Sequence, residues 1–325
     1  MGALEALESE SAWRARDAEL IVGTSAGSVI GTLIAAGIPP AHLAAYSGGG
    51  SLDELEPLDD LAVEADAFDD PEEAERYRLQ FGLPPLGPGS WRMILSTLRN
   101  PLRHSAGAVM CGWLPRGFIS TDPISRLVER FVPGEWPDHE GLRVVACDYA
   151  TGRRVAFGSP TAPPASASEA VAASCAIPGF YRAVRIGSRH YVDGGICSAS
   201  NADLMHGRGL DLVIVLNPMS SLAKAPAHGP ADLLAARMRQ GTGRRLGHEL
   251  RKLRSEGTEL LVLQPTAEDL AIMGPNLMAR GRRHEVIEQA VSSSAQQLRA
   301  GRGMLPEPPR SRRPATTAAR RAAAA

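Results

Sequence analysis

The chain is nearly without lysine. Only Lys224 and Lys252 occur among 35 basic residues, and the rest are arginine. With so much alanine, that bias fits a GC-rich coding composition better than a phosphate-binding surface. The net charge is -1, so no global field points to nucleic acid or to an acidic partner. No run of about 18 apolar residues occurs, which excludes a membrane-spanning helix. Residues 1–19 are too charged to supply the apolar region of a signal peptide. The expected location is cytoplasmic, with any membrane contact peripheral. Cysteine is scarce as well. Cys111, Cys147, Cys175 and Cys197 form no CxxC pair and stand at no zinc-ligand spacing with a histidine, so scattered reduced thiols are expected in place of a disulfide framework or a metal site.

What is present fits an ordinary globular chain. Its 325 residues are 44% hydrophobic and 22% charged, enough for one large α/β domain or two small ones. Charge is uneven: residues 53–75 hold twelve Asp and Glu and no Lys or Arg, while Pro308 to Ala325 holds five Arg and no acid. The end of the chain from about Leu305 is Pro-, Ala- and Arg-rich, and 305–325 is expected to be a disordered basic tail.

Apolar patterning organises the remainder. Leu4 and Leu7 share one face of a short amphipathic helix. Glu19 to Gly23 reads as a buried strand and Ser28 to Ala36 as a helix stopped by Gly37 and Pro39-Pro40. Residues 51–117 look like an insertion without regular βαβ structure. Thr121-Asp122-Pro123 opens a helix carrying Ile124, Leu127, Val128 and Phe131. Leu142 to Cys147 is a strand, with Arg154 to Phe157 placed to pair with it across Thr151-Gly152. Ser168 to Ser174 is helical with Ser168 as cap. Leu210 to Leu216 is an apolar strand of the kind buried on both faces. Helical patterns at 231–255 and 276–299 flank a strand at Leu260 to Leu263. This alternation predicts an α/β fold with a largely parallel sheet.

Gly23-Thr24-Ser25-Ala26-Gly27 is a G-x-S-x-G string between an apolar strand and an apolar helix. That context suits a nucleophile elbow, in which a strained strand-to-helix turn pushes the serine Oγ out of the sheet. Small neighbours at Gly23 and Gly27 permit the close approach, and the helix N-terminus offers positive charge to an oxyanion. The alternative is that Ser25 merely caps the helix. A serine also needs a base. None of the eight histidines sits in a convincing strand-end loop. Asp193 does end an apolar strand, in Tyr191-Val192-Asp193-Gly194-Gly195, although an ordinary Asp-Gly turn has the same sequence.

Three blocks in order carry a resemblance: Gly23 to Ser28, Ala172-Ala173-Ser174-Cys175-Ala176-Ile177-Pro178-Gly179-Phe180, and Tyr191 to Gly195. Together they resemble the core motifs of the patatin-like phospholipase family, over roughly residues 1–220. The resemblance implies a three-layer α/β sandwich over residues 1–304 and lipid degradation by hydrolysis of carboxylic esters. It implies a catalytic dyad of Ser25 and Asp193 with an acyl-enzyme intermediate and with no cofactor or metal. Gly23, Ala26, Gly27, Gly194 and Gly195 fall at positions supporting the elbow and the oxyanion. The implied partner is a lipid ester, with peripheral membrane contact and no nucleic acid.

The family's first strand and its Gly-rich oxyanion loop have no counterpart here, because Met1-Gly2-Ala3-Leu4 resembles the middle of the helix that follows them. Gly48-Gly49-Gly50 comes after the nucleophile helix and does not replace the loop. A start placed too late, or a catalytically weakened protein, would each account for this; Ala26 N–H is then the oxyanion donor in view. Trp91, Met93, Ile94, Leu95, Leu98 and Trp113 are expected to form either an apolar lid or membrane-touching surface, or the insertion's own core. Two further readings stand beside the dyad: a Ser-His-Asp esterase using His206, and a non-catalytic binding or regulatory module.

Overall fold

The computed structural model describes residues 1–48, 87–99, 105–134, 136–221, 229–274, 282–301 and Leu305. The acidic stretch at 53–75, Gly49-Gly50 and the basic tail from residue 306 lie outside these residues.

The strands are β1 (Ile21–Thr24), β2 (Leu142–Asp148), β3 (Arg154–Phe157), β4 (Val184–Ile186), β5 (Arg189–Asp193), β6 (Leu212–Leu216) and β7 (Glu259–Leu263). β2 organises the main sheet. β1 lies parallel to it, with Ile21 opposite Leu142 and Thr24 opposite Val145. β3 runs antiparallel along Val144 to Cys147. β5 runs antiparallel along Ala146 to Asp148, with Asp193 opposite Ala146. Val145 faces both Thr24 and Ala156, and Ala146 faces both Val155 and Asp193. β1 and β5 therefore share one edge of β2 and run towards each other, so their last residues stop at neighbouring register positions.

The sheet is mixed, and this corrects the expectation of a mostly parallel one. β1–β2 and β6–β7 are parallel, whereas β2–β3, β2–β5 and β4–β5 are antiparallel. The reason lies in the connections: short turns join only antiparallel neighbours. The β2–β3 link contains Gly152 at φ +69°, and β4 meets β5 through a two-residue loop opened by Gly187 at φ +57°, a position that favours glycine. β6 and β7 form a separate pair, and among the described residues the second edge of β1 carries no strand.

Helices cover both faces. On one side α1 (Gly2–Glu10), α2 (Ala26–Ala35), α6 (Asp122–Phe131), α7 (Ala167–Ser174) and α10 (Arg283–Ala300) enclose a core with Val144, Ala146, Phe157 and Tyr191. α3 (Pro40–Gly48) packs beside α1, and α9 (Ala267–Met273) against α10. Leu4 and Leu7 of α1 are buried as their spacing predicts. α1 crosses α10 so closely that a Cβ on Gly2 would lie 2.7 Å from the Ile287 carbonyl oxygen. Tyr191 packs edge-on against Phe157, ring centres 5.2 Å apart, which anchors β5 just before Asp193. The helix starting at Thr121-Asp122-Pro123 forms as expected. The cap of α7 differs: Ser166, not Ser168, accepts the Glu169 N–H, and the Glu169 carboxylate accepts the Ser166 N–H. That reciprocal capping box satisfies two helix-end donors at once, which Ser168 cannot do from inside the first turn.

On the opposite face α8 (Pro230–Ser255) covers Val213 and Val215. α4 (Trp91–Arg99) and α5 (Ala106–Trp113) cover Cys147 and Val192. The region read as an insertion without a regular βαβ unit thus supplies a helical pair over the sheet. Met93, Ile94 and Thr97 face inward at helical spacing. Trp91, Leu95 and Leu98 stay exposed, while Arg92 and Arg99 share the flank opposite the buried side chains, so the helical contrast between faces is present in this short segment.

Candidate functional site

β1 ends at Thr24, and α2 begins at Ala26. Between them Ser25 adopts φ +53°, ψ -129°, a region that L-residues rarely visit and that costs on the order of 1–3 kcal/mol. Its surroundings hold it there. Ser25 N–H donates to Ser174 Oγ at 2.9 Å, and Ser174 Oγ donates to the Val145 carbonyl at 2.6 Å. Ser28 Oγ donates to the Ser25 carbonyl at 2.6 Å. Asn201 Nδ2 donates to Thr24 Oγ1 at 2.9 Å. Ser28, Ser174 and Asn201 are fully buried. Gly23 is sterically required, since a Cβ there would stand 2.5 Å from the Gly27 carbonyl oxygen. Gly27 is not: a Cβ on it would meet open space, which corrects the expectation that both glycines are needed for close approach. Only the residue on the strand side of the turn faces the helix backbone.

The Ser25 side chain makes no capping bond to α2. The helix-cap alternative therefore falls, and the Ser25 hydroxyl lies near enough to the Asp193 carboxyl to act against its raised pKa. Asp193 ends β5 and is 5% exposed. Its Oδ1 accepts the Gly195 N–H at 2.7 Å, and its own N–H donates to the Ala176 carbonyl at 2.9 Å. Burial pushes the Asp193 carboxyl above its ordinary pKa, and the hydrogen bonds from Ser25 and Gly195 N–H partly oppose that. Gly194 is held tightly, since a Cβ would be 2.4 Å from the Val145 carbonyl oxygen. Gly195 is exposed.

Val145 is thus a meeting point: it pairs with Thr24, takes the Ser174 hydroxyl, and leaves no room beside Gly194. The Ala172–Gly179 block does more than fill space nearby. Ser174 holds the backbone of Ser25, and Ala176 holds that of Asp193.

The first N–H groups of α2, on Ala26 and Gly27, have no acceptor among the described residues, and both residues are exposed. They lie beside Ser25 at the positive end of the helix. A network missed by sequence reading braces the elbow. Asn201, itself at φ +48°, takes Arg154 Nη1 on its Oδ1 at 3.0 Å, and Arg154 is paired bidentately with Asp203. Ser198 and Ser200 beside it donate to the buried Glu249. The only sequence signal for Asn201 was that a lone Asn tolerates left-handed backbone.

Three cysteines presumed scattered come together in space: Cys111 and Cys147 share one buried cluster, with Cys197 packed on it. Burial first, then Cys197 and Asp193, push the Cys111 thiol up to about 12. His206, the candidate third member of a triad, stands with its Nε2 3.2 Å from Glu256 and half exposed. Among the described residues no histidine bonds Ser25 or Asp193. A cavity of about 730 Å³ runs along β3 past Val22, Arg143 and Arg208, and includes neither Ser25 nor Asp193.

A strand–serine–helix elbow and a buried carboxylate meet on a central sheet flanked by helices, which makes this an α/β protein. The model of the patatin-like phospholipases matches residues 1–206, and the chain belongs to that family of lipid acyl hydrolases. Ser25, Asp193 and the bracing Asn201 all fall inside the match. No helix among the described residues is long and apolar enough to cross a membrane.

Proposed function

We propose that the protein hydrolyses carboxylic esters of lipids through a Ser25–Asp193 dyad. The convergence of the strained Ser25 turn and the buried Asp193 turn on Val145 carries this reading. Asp193 takes the proton from Ser25 Oγ as that oxygen attacks the acyl carbonyl. The N–H groups of Ala26 and Gly27 stabilise the oxyanion. Collapse gives an acyl-enzyme on Ser25, and Asp193 returns its proton to the departing alcohol. Water, deprotonated by Asp193, then attacks the acyl group and frees the acid and Ser25. A carboxylate raised by burial suits this task better than an ordinary one, because it holds the proton more readily. The engagement of His206 with Glu256 at the surface favours this dyad over a histidine triad.

A fluorophosphonate probe and a short-chain p-nitrophenyl ester test the proposal. Both labelling and turnover are expected in the wild type, and neither in Ser25→Ala. Labelling retained in Ser25→Ala would refute it, as would turnover that depends on His206.

The same reading treats residues 1–304 as one three-layer hydrolase domain, so limited proteolysis should leave a single core ending near residue 304.

A further inference from the structure

The α4–α5 pair turns a second apolar surface outward. Trp91, Leu95 and Leu98 stand at i, i+4 and i+7 and are 67%, 51% and 66% exposed; Met110 and Trp113 on α5 are 65% and 56% exposed. The helices lie antiparallel, because Ser90 N–H donates to the Gly112 carbonyl at 3.2 Å and Gly89 N–H to that of Leu114 at 2.8 Å. Trp91 and Trp113 therefore share one end of the pair. The surface continues past Leu114, whose Cβ lies 3.7 Å from where a Cβ on Gly179 would be, to the exposed Phe180. Of the large apolar side chains exposed among the described residues, only Leu233 and Met238 lie elsewhere. Such concentration is unusual on a soluble surface and marks a contact site.

Charge identifies the occupant. From residue 87 to residue 121 there is no Asp or Glu, although the chain as a whole is slightly acidic. Arg92, Arg99 and Arg116 are exposed around the apolar side chains. Apolar and tryptophan side chains ringed by arginine suit the boundary between acyl chains and anionic headgroups. We propose that α4 and α5 dock the protein on an anionic lipid bilayer, with Trp91 and Trp113 entering the acyl boundary.

The inward side of the same helices packs on the site. Ser105, the cap of α5, donates to the Ile196 carbonyl, and a Cβ on Gly107 would lie 2.6 Å from that oxygen. Ile196 follows Asp193 by three residues. Across the turn, the exposed Ile177 adjoins Ala176, which holds the Asp193 N–H. Docking thus brings the helices that pack on the Asp193 turn to the lipid. This last step rests on the hydrolase reading; the docking itself does not.

The test uses the full chain with vesicles of phosphatidylcholine, alone or mixed with phosphatidylglycerol. Co-sedimentation with the anionic vesicles, weak binding to the neutral ones, and quenching of tryptophan fluorescence by brominated lipid are expected. Quenching needs no variant, so a misfolded mutant cannot confuse it. Exchanging Arg92, Arg99 and Arg116 for Gln together should weaken binding about a hundredfold, at roughly fivefold for each. Trp91→Ala with Leu95→Ala and Leu98→Ala should weaken it at least about tenfold, while leaving hydrolysis of a soluble short-chain ester unchanged. Ser25→Ala should bind as wild type does, which separates the two proposals: lost ester turnover with intact binding concerns the dyad alone. Binding equal on both vesicle types, no binding to either, or self-association through this face without vesicle binding would overturn the docking proposal.

Discussion

Two turns meet at Val145, and they are built in opposite ways. The Ser25 turn is half exposed and backbone-strained, and its N–H groups on Ala26 and Gly27 have no acceptor among the described residues. The Asp193 turn is buried, its backbone is unstrained at φ -49°, and the carboxylate accepts the Gly195 N–H. One turn places its group by forcing the chain into a rare conformation. The other does it by burying a charge beside a glycine that touches a neighbouring strand. A nucleophile must project and leave room for an oxyanion, which calls for backbone geometry. A base must hold a proton, which calls for desolvation.

The largest effects come from removing either group. Ser25→Ala and Asp193→Asn are each expected to lower kcat by at least about 10⁴-fold in an ester assay. Stability should separate them. Ser25→Gly should be more stable than Ser25→Ala by about 1 kcal/mol, because glycine relaxes φ +53° and alanine does not. Asp193→Asn should raise the unfolding midpoint at neutral pH. The sign follows from the raised pKa: between the ordinary carboxylate value and the raised one the folded state binds more protons than the unfolded, so stability falls as pH rises. The gain in Asp193→Asn should therefore shrink as pH falls through that window and vanish below it. Activity of the wild type should lose its base over the same window, giving an acid limb above the usual carboxylate range. A limb at the ordinary carboxylate pKa would contradict a buried base.

Glycine substitutions probe the packing side of the contrast. Gly194→Ala forces a Cβ to 2.4 Å from the Val145 carbonyl oxygen, a backbone atom that cannot swing away. A loss of about 2–4 kcal/mol is expected from chemical denaturation. Gly27→Ala adds a methyl in open space on the first turn of α2. It should be neutral or stabilise by up to about 1 kcal/mol, since alanine favours the helix. Equal losses at the two positions would mean that the elbow is as tightly packed as the carboxylate turn.

The two turns were not equally legible. Gly23 to Gly27 announced itself, because a strand, a tight turn and a helix leave distinct local patterns. Asp193 did not, since Asp-Gly is common in turns; it gained a role through the order of the three family blocks. Pairing direction was misread for a related reason. Alternating strands and helices suggest crossovers, but β3 and β5 reach β2 through short or distant connections that period alone does not reveal. The α4–α5 pair was hidden because its two short helices follow a Gly- and Pro-rich stretch at 82–89 that reads as insertion. The bracing of Thr24 depended on a contact spanning 177 residues, which no local pattern encodes.

That brace supplies the smallest expected effect and the finest test of the contrast. Asn201→Ala removes the amide donor to Thr24 Oγ1 and the acceptor for Arg154, and it leaves alanine at φ +48°. Arg154 keeps its bidentate pair with Asp203, so the loss should stay near 1–2 kcal/mol. Asn201→Gly accepts the backbone angle but still lacks the amide. If the amide steadies the strained elbow, both variants should lower kcat severalfold with KM little changed, while Asn201→Gly recovers part of the stability. If Asn201 serves only the backbone, Asn201→Gly should recover the rate as well, and the strain at Ser25 would then be held from the Ser174 and Ser28 side alone.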